Sequence, residues 1–339
     1  NFGLHWHLFQ CSRDRPTMKI LITGGGGFIG SHVVERALLQ GHEVVVLDDF
    51  STATTSNLKS VETNQSLKIV QGSVLDKELV ENLVEEVDGC FHLAAALGVE
   101  RIMERPLQSL AVNLQGSENV LNACARLNVR TVLSSSSEIY GKTTDFPISE
   151  ESDRVIGSPL KWRWMYSEAK ALDESIASVL HHQQGFKVSI VRFFNTVGPR
   201  QTGAYGMVVP RFVKAALNNQ PLVINGTGEQ SRVFCHVDDA VDGLWRVFES
   251  EAYGEVFNVG GVEEVTINEL ANRVITRTHS QSVTAHRSYE EAYGEGFEDM
   301  QRRVPDTSKL SRVTGWKAKY GLDAIIDDVA AYLRTTISL

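Results

Sequence analysis

Cysteine is scarce, with four in 339 residues (Cys11, Cys90, Cys124 and Cys235), and no two of them form a CxxC pair. That usage offers no zinc signature and fits a reduced intracellular chain, expected to be cytoplasmic. No run of about 20 uninterrupted apolar residues occurs, so no membrane span and no membrane partner are expected. Positive charge is also in short supply, since 33 Lys+Arg against 42 Asp+Glu leave a net charge of −9. Without excess cations to neutralise phosphates, nucleic acid is a poor default partner. A phosphate-bearing ligand must then be held by local backbone amides and a few placed arginines. Repeats and low-complexity segments are missing too. His5, His7, His92, His181, His182 and His236 show no metal-ligand spacing, and no metal is expected.

What is present is an ordinary globular composition, 42% hydrophobic and 22% charged, which excludes disordered, collagen-like and simple coiled-coil chains. The length suits two domains, or one large α/β domain with an appended lobe. Residues 1–17 lack the charged start, apolar core and cleavage site of a signal peptide and read as a non-native or disordered extension. From Met18 onward, short apolar runs alternate with amphipathic stretches. The runs are Lys19–Thr23, Glu43–Leu47, Lys68–Gln71, Cys90–Leu93, Thr131–Ser134 and Lys187–Arg192, and such continuous runs indicate strands buried on both faces. Helices are expected near Gly30–Gln40, Leu107–Leu127, Tyr166–His182, Pro210–Leu217, Ile267–Thr276 and Leu322–Leu333. The alternation predicts an α/β fold, a Rossmann-like doubly wound parallel sheet with a smaller C-terminal substrate-binding lobe. Residues 18–194, with 234–262 returning, form the first unit; residues 195–233 and 263–339 form the lobe.

The stretch Thr23-Gly-Gly-Gly-Gly-Phe-Ile-Gly30 follows the first strand and opens a helix. Gly24, Gly27 and Gly30 satisfy GxxGxxG; Gly25, Gly27 and Gly30 satisfy GxGxxG. Glycines permit the sharp turn and a close pyrophosphate, while the helix start, with Phe28 and Ile29, offers amides and partial positive charge. Asp48 ends the second strand, next to Asp49. A carboxylate there accepts ribose hydroxyls and repels a 2′-phosphate, which favours NAD over NADP.

Tyr166 and Lys170 lie four residues apart on one helix face. A free phenol has a pKa near 10; a nearby ammonium and an oxidised nicotinamide favour the phenolate, which then takes a proton from a substrate hydroxyl. YxxxK recurs by chance, but Ser134–Ser137 ends the fifth strand, where ligands bind in such sheets, and Ser136 is placed to bond the reacting hydroxyl.

Together these motifs resemble the extended short-chain dehydrogenase/reductases, in the branch that modifies nucleotide sugars. Asn113 in NLQGSENVL, Arg192-Phe-Phe-Asn195 and Arg232-Val-Phe-Cys-His236 match further. The resemblance implies a tightly held NAD, a UDP-sugar substrate and a homodimer. It adds Ser73, Val74, Leu93, Ala94, Ala95 and Asn113 to the cofactor set, and Ser137, Asn195 and Arg232 to the substrate set. The related 4,6-dehydratases carry Asp-Glu at the positions of Ser137-Glu138, and serine is too weak an acid to protonate a departing hydroxyl. UDP-glucuronate decarboxylases carry Thr-Ser-Glu where this chain has Ser136-Ser137-Glu138. Arg163-Trp-Met-Tyr166, Tyr293–Asp299 and Arg302-Arg303 resemble decarboxylases too, with Arg303 on their active-site arginine. The reading is therefore a UDP-glucuronate decarboxylase with Tyr166, Lys170, Ser136, Glu138 and Arg303 as catalytic residues. A UDP-sugar 4-epimerase with the same Tyr/Lys/NAD machinery is the alternative, and an NAD(H)-sensing protein a third. Glu138 also reads as a capping or ribose-binding carboxylate, Arg302-Arg303 as a solvated pair, and His236 as a structural hydrogen-bonding residue.

Overall fold

The computed structural model describes residues 16–96, 106–203, 207–293 and 298–336; all but the last two of residues 1–17 therefore lie outside the described residues. Strands β1 (Lys19–Thr23), β2 (Glu43–Asp48), β3 (Leu67–Gln71), β4 (Gly89–His92), β5 (Arg130–Ser136) and β6 (Val188–Phe193) match the six expected runs. After them come β7 (Thr196–Val197), β8 (Leu222–Asn225), β9 (Ser231–Val233), β10 (Cys235–His236), β11 (Val256–Val259), β12 (Glu264–Thr266), β13 (Thr284–Arg287) and β14 (Arg302–Arg303). The main sheet runs β3-β2-β1-β4-β5-β6-β11, every pair parallel.

The period of two along each strand sorts its side chains between two cores. Ile20, Ile22, Val44, Val46 and Phe91 pack against helices Phe28–Leu39 and Val237–Ser250. Leu21, Val45, Leu47 and Cys90 point the other way, onto helices Lys77–Val84, Ser117–Arg126 and Met165–Gln184. Both faces being covered explains the unbroken apolar runs. Strand β3 departs from that expectation: among the described residues it lies at the sheet edge, and Ile69 is 42% exposed.

The helix expected over Leu107–Leu127 is interrupted. Pro106–Ala111 and Ser117–Arg126 are α-helical, but Val112–Gly116 forms a π-turn. Here Asn113 takes the Ala96 N–H at 2.7 Å and donates to the Ala96 carbonyl at 2.9 Å. The widened turn thus accompanies a side chain that clamps a neighbouring loop.

Beyond the main sheet, β12-β9-β14 form a three-stranded sheet and β13-β8 a pair. Helices Val208–Leu217, Ile267–Thr278 and Leu322–Thr336 close an apolar core of their own over them. In β14 the parallel register sets Arg303 beside Arg232 of β9. An isolated bridge from Ile148 to Pro305 joins that strand's end to the main body.

Candidate active site

A cleft of about 850 Å³ opens at the carboxyl ends of the main-sheet strands. Its lining includes Gly24, Gly27, Phe28, Ile29, Gly30, Asp48, Asp49, Ser73, Val74, Leu93, Ala94, Ala95, Ser136, Ser137, Glu138, Tyr166, Asn195, Arg232 and Arg303. Of the residues expected at the site, Asn113 and Lys170 do not line it. Asn113 has spent both amide atoms on Ala96, and Lys170 is buried beneath the surface with its ammonium on Asp173.

The glycine turn is built for close approach. Gly24 sits at φ +71°, a left-handed conformation that favours glycine, and a Cβ there would lie 2.7 Å from the Ala94 nitrogen. A Cβ on Gly30 would drive into the Gly24 carbonyl. Helix Phe28–Leu39 starts with no side-chain cap and no acidic residue in its first turn, so its amides and partial positive charge remain for an anion. Asp48 accepts the Gly26 N–H at 2.9 Å and the Phe50 N–H at 2.8 Å. Burial pushes its carboxyl up, and those two bonds pull it back. These residues fit a dinucleotide: amides for the phosphates, and a carboxylate at the end of the second strand for a ribose.

A different construction surrounds Ser136, whose hydroxyl accepts the Glu138 N–H at 3.2 Å and is hydrogen-bonded to the Tyr166 phenol. Glu138 stands between two guanidiniums, Arg303 at 2.6 Å on one carboxylate oxygen and Arg163 at 2.6 Å on the other. Burial alone would raise the Glu138 carboxyl; Arg163 and Arg303 outweigh it and hold the group well below the usual carboxylate range. Arg303 also reaches Asn195 Oδ1 at 3.3 Å and Ser137 Oγ at 3.4 Å. Arg232 donates to Asp299 at 3.0 Å, and the Tyr289 hydroxyl lies 3.2 Å from the same oxygen. Three guanidiniums thus face two carboxylates, and the Nε–H groups of Arg163 and Arg303 are buried without a hydrogen-bond partner among the described residues. Unspent buried donors and a surplus positive charge suit an anionic ligand.

The arginine pair divides. Arg302 is largely exposed and forms a surface ion pair with Glu264 at 2.8 Å, whereas Arg303 is buried on Glu138. Glu138 does not cap its turn, a place taken by Ser136; its carboxylate pairs with Arg163 and Arg303 instead. His236 accepts the Asp238 N–H as a helix N-cap. Sequence reasoning missed the roles of Arg163 and Asp299. Arg163 sits in the 3₁₀ turn Trp162–Trp164, directly before the helix that carries Tyr166; its position three residues ahead of that tyrosine was the available signal. Of the motif Tyr293–Asp299, residues 294–297 lie outside the described residues.

The family described as GDP-mannose 4,6 dehydratase matches residues 21–329. The chain belongs to this family. Among its relatives, a UDP-N-acetyl-alpha-D-glucosaminuronate decarboxylase from Bacillus cytotoxicus is 38% identical over 87% of this chain and 91% of the relative. UDP-glucuronic acid decarboxylase 1 of Danio rerio is 33% identical over 96% of this chain and 74% of the relative. The crystal structure of UDP-glucuronic acid 4-epimerase from Bacillus cereus, in complex with UDP-glucuronic acid and NAD, superposes with a TM-score of 0.85. It is 26% identical and covers 94% of this chain and 100% of that one.

Proposed function

We propose that this chain is an NAD-dependent decarboxylase of a UDP-uronic acid, with UDP-glucuronate as its substrate. The buried Arg163–Glu138–Arg303 group beside Ser136 and Tyr166 carries the reading, because its surplus charge and unspent Nε–H donors suit a sugar carboxylate. The names of the decarboxylase relatives support it. The serine at Ser137 argues against the dehydration in the family's description.

The Gly24–Gly30 turn and Asp48 would hold NAD, which supplies a hydride acceptor for C4 of the sugar. Tyr166 takes the proton of the C4 hydroxyl, which Ser136 orients by hydrogen bonding. The resulting 4-keto acid is a β-keto acid: its C5–carboxylate bond breaks, the electron pair moves to the C4 oxygen as an enolate, and CO₂ leaves. Arg303 and Arg163 orient the carboxylate, and Glu138, held as an anion, fixes both guanidiniums. A proton taken from water would replace CO₂ at C5 as the enolate returns to the ketone. Tyr166 would give its proton back to the C4 oxygen; with the reduced cofactor retained as hydride donor the product would be UDP-xylose, and otherwise the 4-keto pentose. Asn195 and Arg232 take the nucleotide diphosphate end.

The same reading makes residues 18–194 with 234–262 the NAD-binding unit, and residues 195–233 with 263–339 the lobe that covers the sugar. It also makes the protein a cytoplasmic homodimer. Leu107, Leu172 and Val179, exposed on helices Pro106–Ala111 and Met165–Gln184, support the dimer; free buried Cys90, Cys124 and Cys235 support a reducing compartment.

The deciding measurement is mass spectrometry of UDP-glucuronate, and in parallel UDP-N-acetylglucosaminuronate, after incubation with the protein and NAD⁺. Loss of CO₂ is the expected result. An isomer of unchanged mass would establish the 4-epimerase alternative, and no turnover of either sugar would overturn both.

A further inference from the structure

Behind Lys170 runs a buried polar chain that links the catalytic helix to the glycine turn. The Lys170 ammonium donates to Asp173 Oδ2 at 3.2 Å, with Lys170 1% exposed and Asp173 fully enclosed. The same oxygen accepts the Ser117 hydroxyl at 3.0 Å. Ser117 Oγ lies 3.1 Å from His92 Nε2, and His92 Nδ1 lies 2.7 Å from Thr23 Oγ1, which accepts the Ala94 N–H at 3.2 Å. Proton counting fixes the direction of this chain. Ser117 has a single hydroxyl proton and gives it to Asp173, so it accepts from His92 Nε2–H; His92 Nδ1 then accepts the Thr23 proton. Burial pushes His92 down to about 3, so it has one ring proton to give. Every donor from Ala94 onward points toward Asp173.

Asp173 is costly to keep there. Its Oδ1 is buried with no hydrogen-bond partner among the described residues, and an incompletely satisfied buried carboxylate disfavours folding. A purely structural role is therefore poorly served by it, and an electrostatic one is well served. Two carboxylates push the Tyr166 phenol up: Glu138 after β5, gripped by Arg163 and Arg303, and Asp173 on the phenol's own helix, paired with Lys170.

Taking Tyr166 and Lys170 as the redox pair proposed above, we infer that Asp173 is a positioning residue that fixes Lys170 and cancels much of its charge at the phenol. The Lys170–Asp173 pair, and not Lys170 alone, then sets the field in which Tyr166 works. The titration tendencies agree: burial first and Glu138 next push the phenol up, the Ser136 bond pulls it down, and Asp173 pushes it up again.

The test is the phenol ionisation of NAD⁺-loaded protein without sugar, read by ultraviolet difference absorbance against Tyr166→Phe. Asp173→Asn keeps an oxygen for Lys170 and Ser117 but removes the negative charge, which favours the phenolate. The ionisation, and the acid limb of turnover with it, is expected to move to lower pH by about one unit. An ionisation that does not move overturns the inference. Lys170→Met alone is expected to move it upward, and Lys170→Met/Asp173→Leu to bring it back to within about half a unit of the unaltered protein. If Asp173→Asn does not fold, that pair decides, and a double variant displaced as far as the single one overturns the inference. Wild-type turnover by Tyr166→Phe would instead overturn the redox-pair reading itself.

Discussion

The two parts of the cleft present positive charge by opposite means. Around Gly24–Gly30 the donors are backbone amides, and the one carboxylate that shapes the turn, Asp48, bonds Gly26 across 22 residues of sequence. Around Glu138 the donors are guanidiniums on long side chains, and Glu138 and Arg303 are 165 residues apart. An amide cradle needs only a turn of the right shape. A charge cluster needs each partner present, since a buried ion left without its counter-ion is strongly unfavourable. The first part should therefore be sensitive to bulk and indifferent to charge, and the second the reverse.

Substitutions can break that contrast. Arg303→Ala leaves Glu138 with half its partners and should lower decarboxylation by about 10²–10³-fold while NAD⁺ still binds; comparable turnover by mass spectrometry would remove Arg303 from the chemistry. Glu138→Gln should likewise block CO₂ loss with NAD⁺ retained, and CO₂ release at the wild-type rate would show that the carboxylate is dispensable. Gly30→Ala should do the opposite, weakening NAD⁺ by about 10–100-fold through a clash worth about 1–3 kcal/mol; a titration showing unchanged affinity would mean the turn relaxes freely.

Acid should weaken the fold from beneath the amide cradle. His32 and His92 are both buried and pushed down to about 3 from an ordinary 6.5, burial being the main cause. As pH falls below 6.5 the unfolded chain gains protons that the folded chain refuses, so stability drops down to the folded value near 3. Between pH 7 and pH 5 each histidine should remove about 2 kcal/mol, measured by urea unfolding. A His92→Gln variant with the full wild-type slope would place His92 outside that loss. The smallest effect belongs to Arg302→Ala, which removes an exposed ion pair with Glu264 and should change stability by about 0.5 kcal/mol or less with turnover unaltered.

The sheet and the glycine turn were legible because their signals are local. Strands buried on both faces read as apolar runs, and the turn is spelled out in eight consecutive residues. Edge strand β3 carries the same kind of run, but its exposure depends on having no outer neighbour. Arg302 and Arg303 are alike in sequence, and only the alternation of the short strand β14 turns one to Glu264 and the other to Glu138. The partners of Arg163, Arg232 and Lys170 were equally hidden. Asp299 comes from a loop 67 residues after Arg232, and Asp173 looks like any solvated carboxylate on an amphipathic helix until the neighbouring helix brings Ser117 against it.

Strand β14 also dates the site. It is the last strand among the described residues, so Gly24, Glu138, Tyr166 and Lys170 all leave the ribosome well before Arg303. Chains begin to fold from the N-terminus during synthesis. Until Arg303 emerges and pairs beside Arg232, the Glu138 carboxylate has Arg163 as its sole hydrogen-bond partner among the described residues. The growing chain thus passes through a stage in which the dinucleotide turn is fully encoded and the sugar cluster still lacks one of its charges.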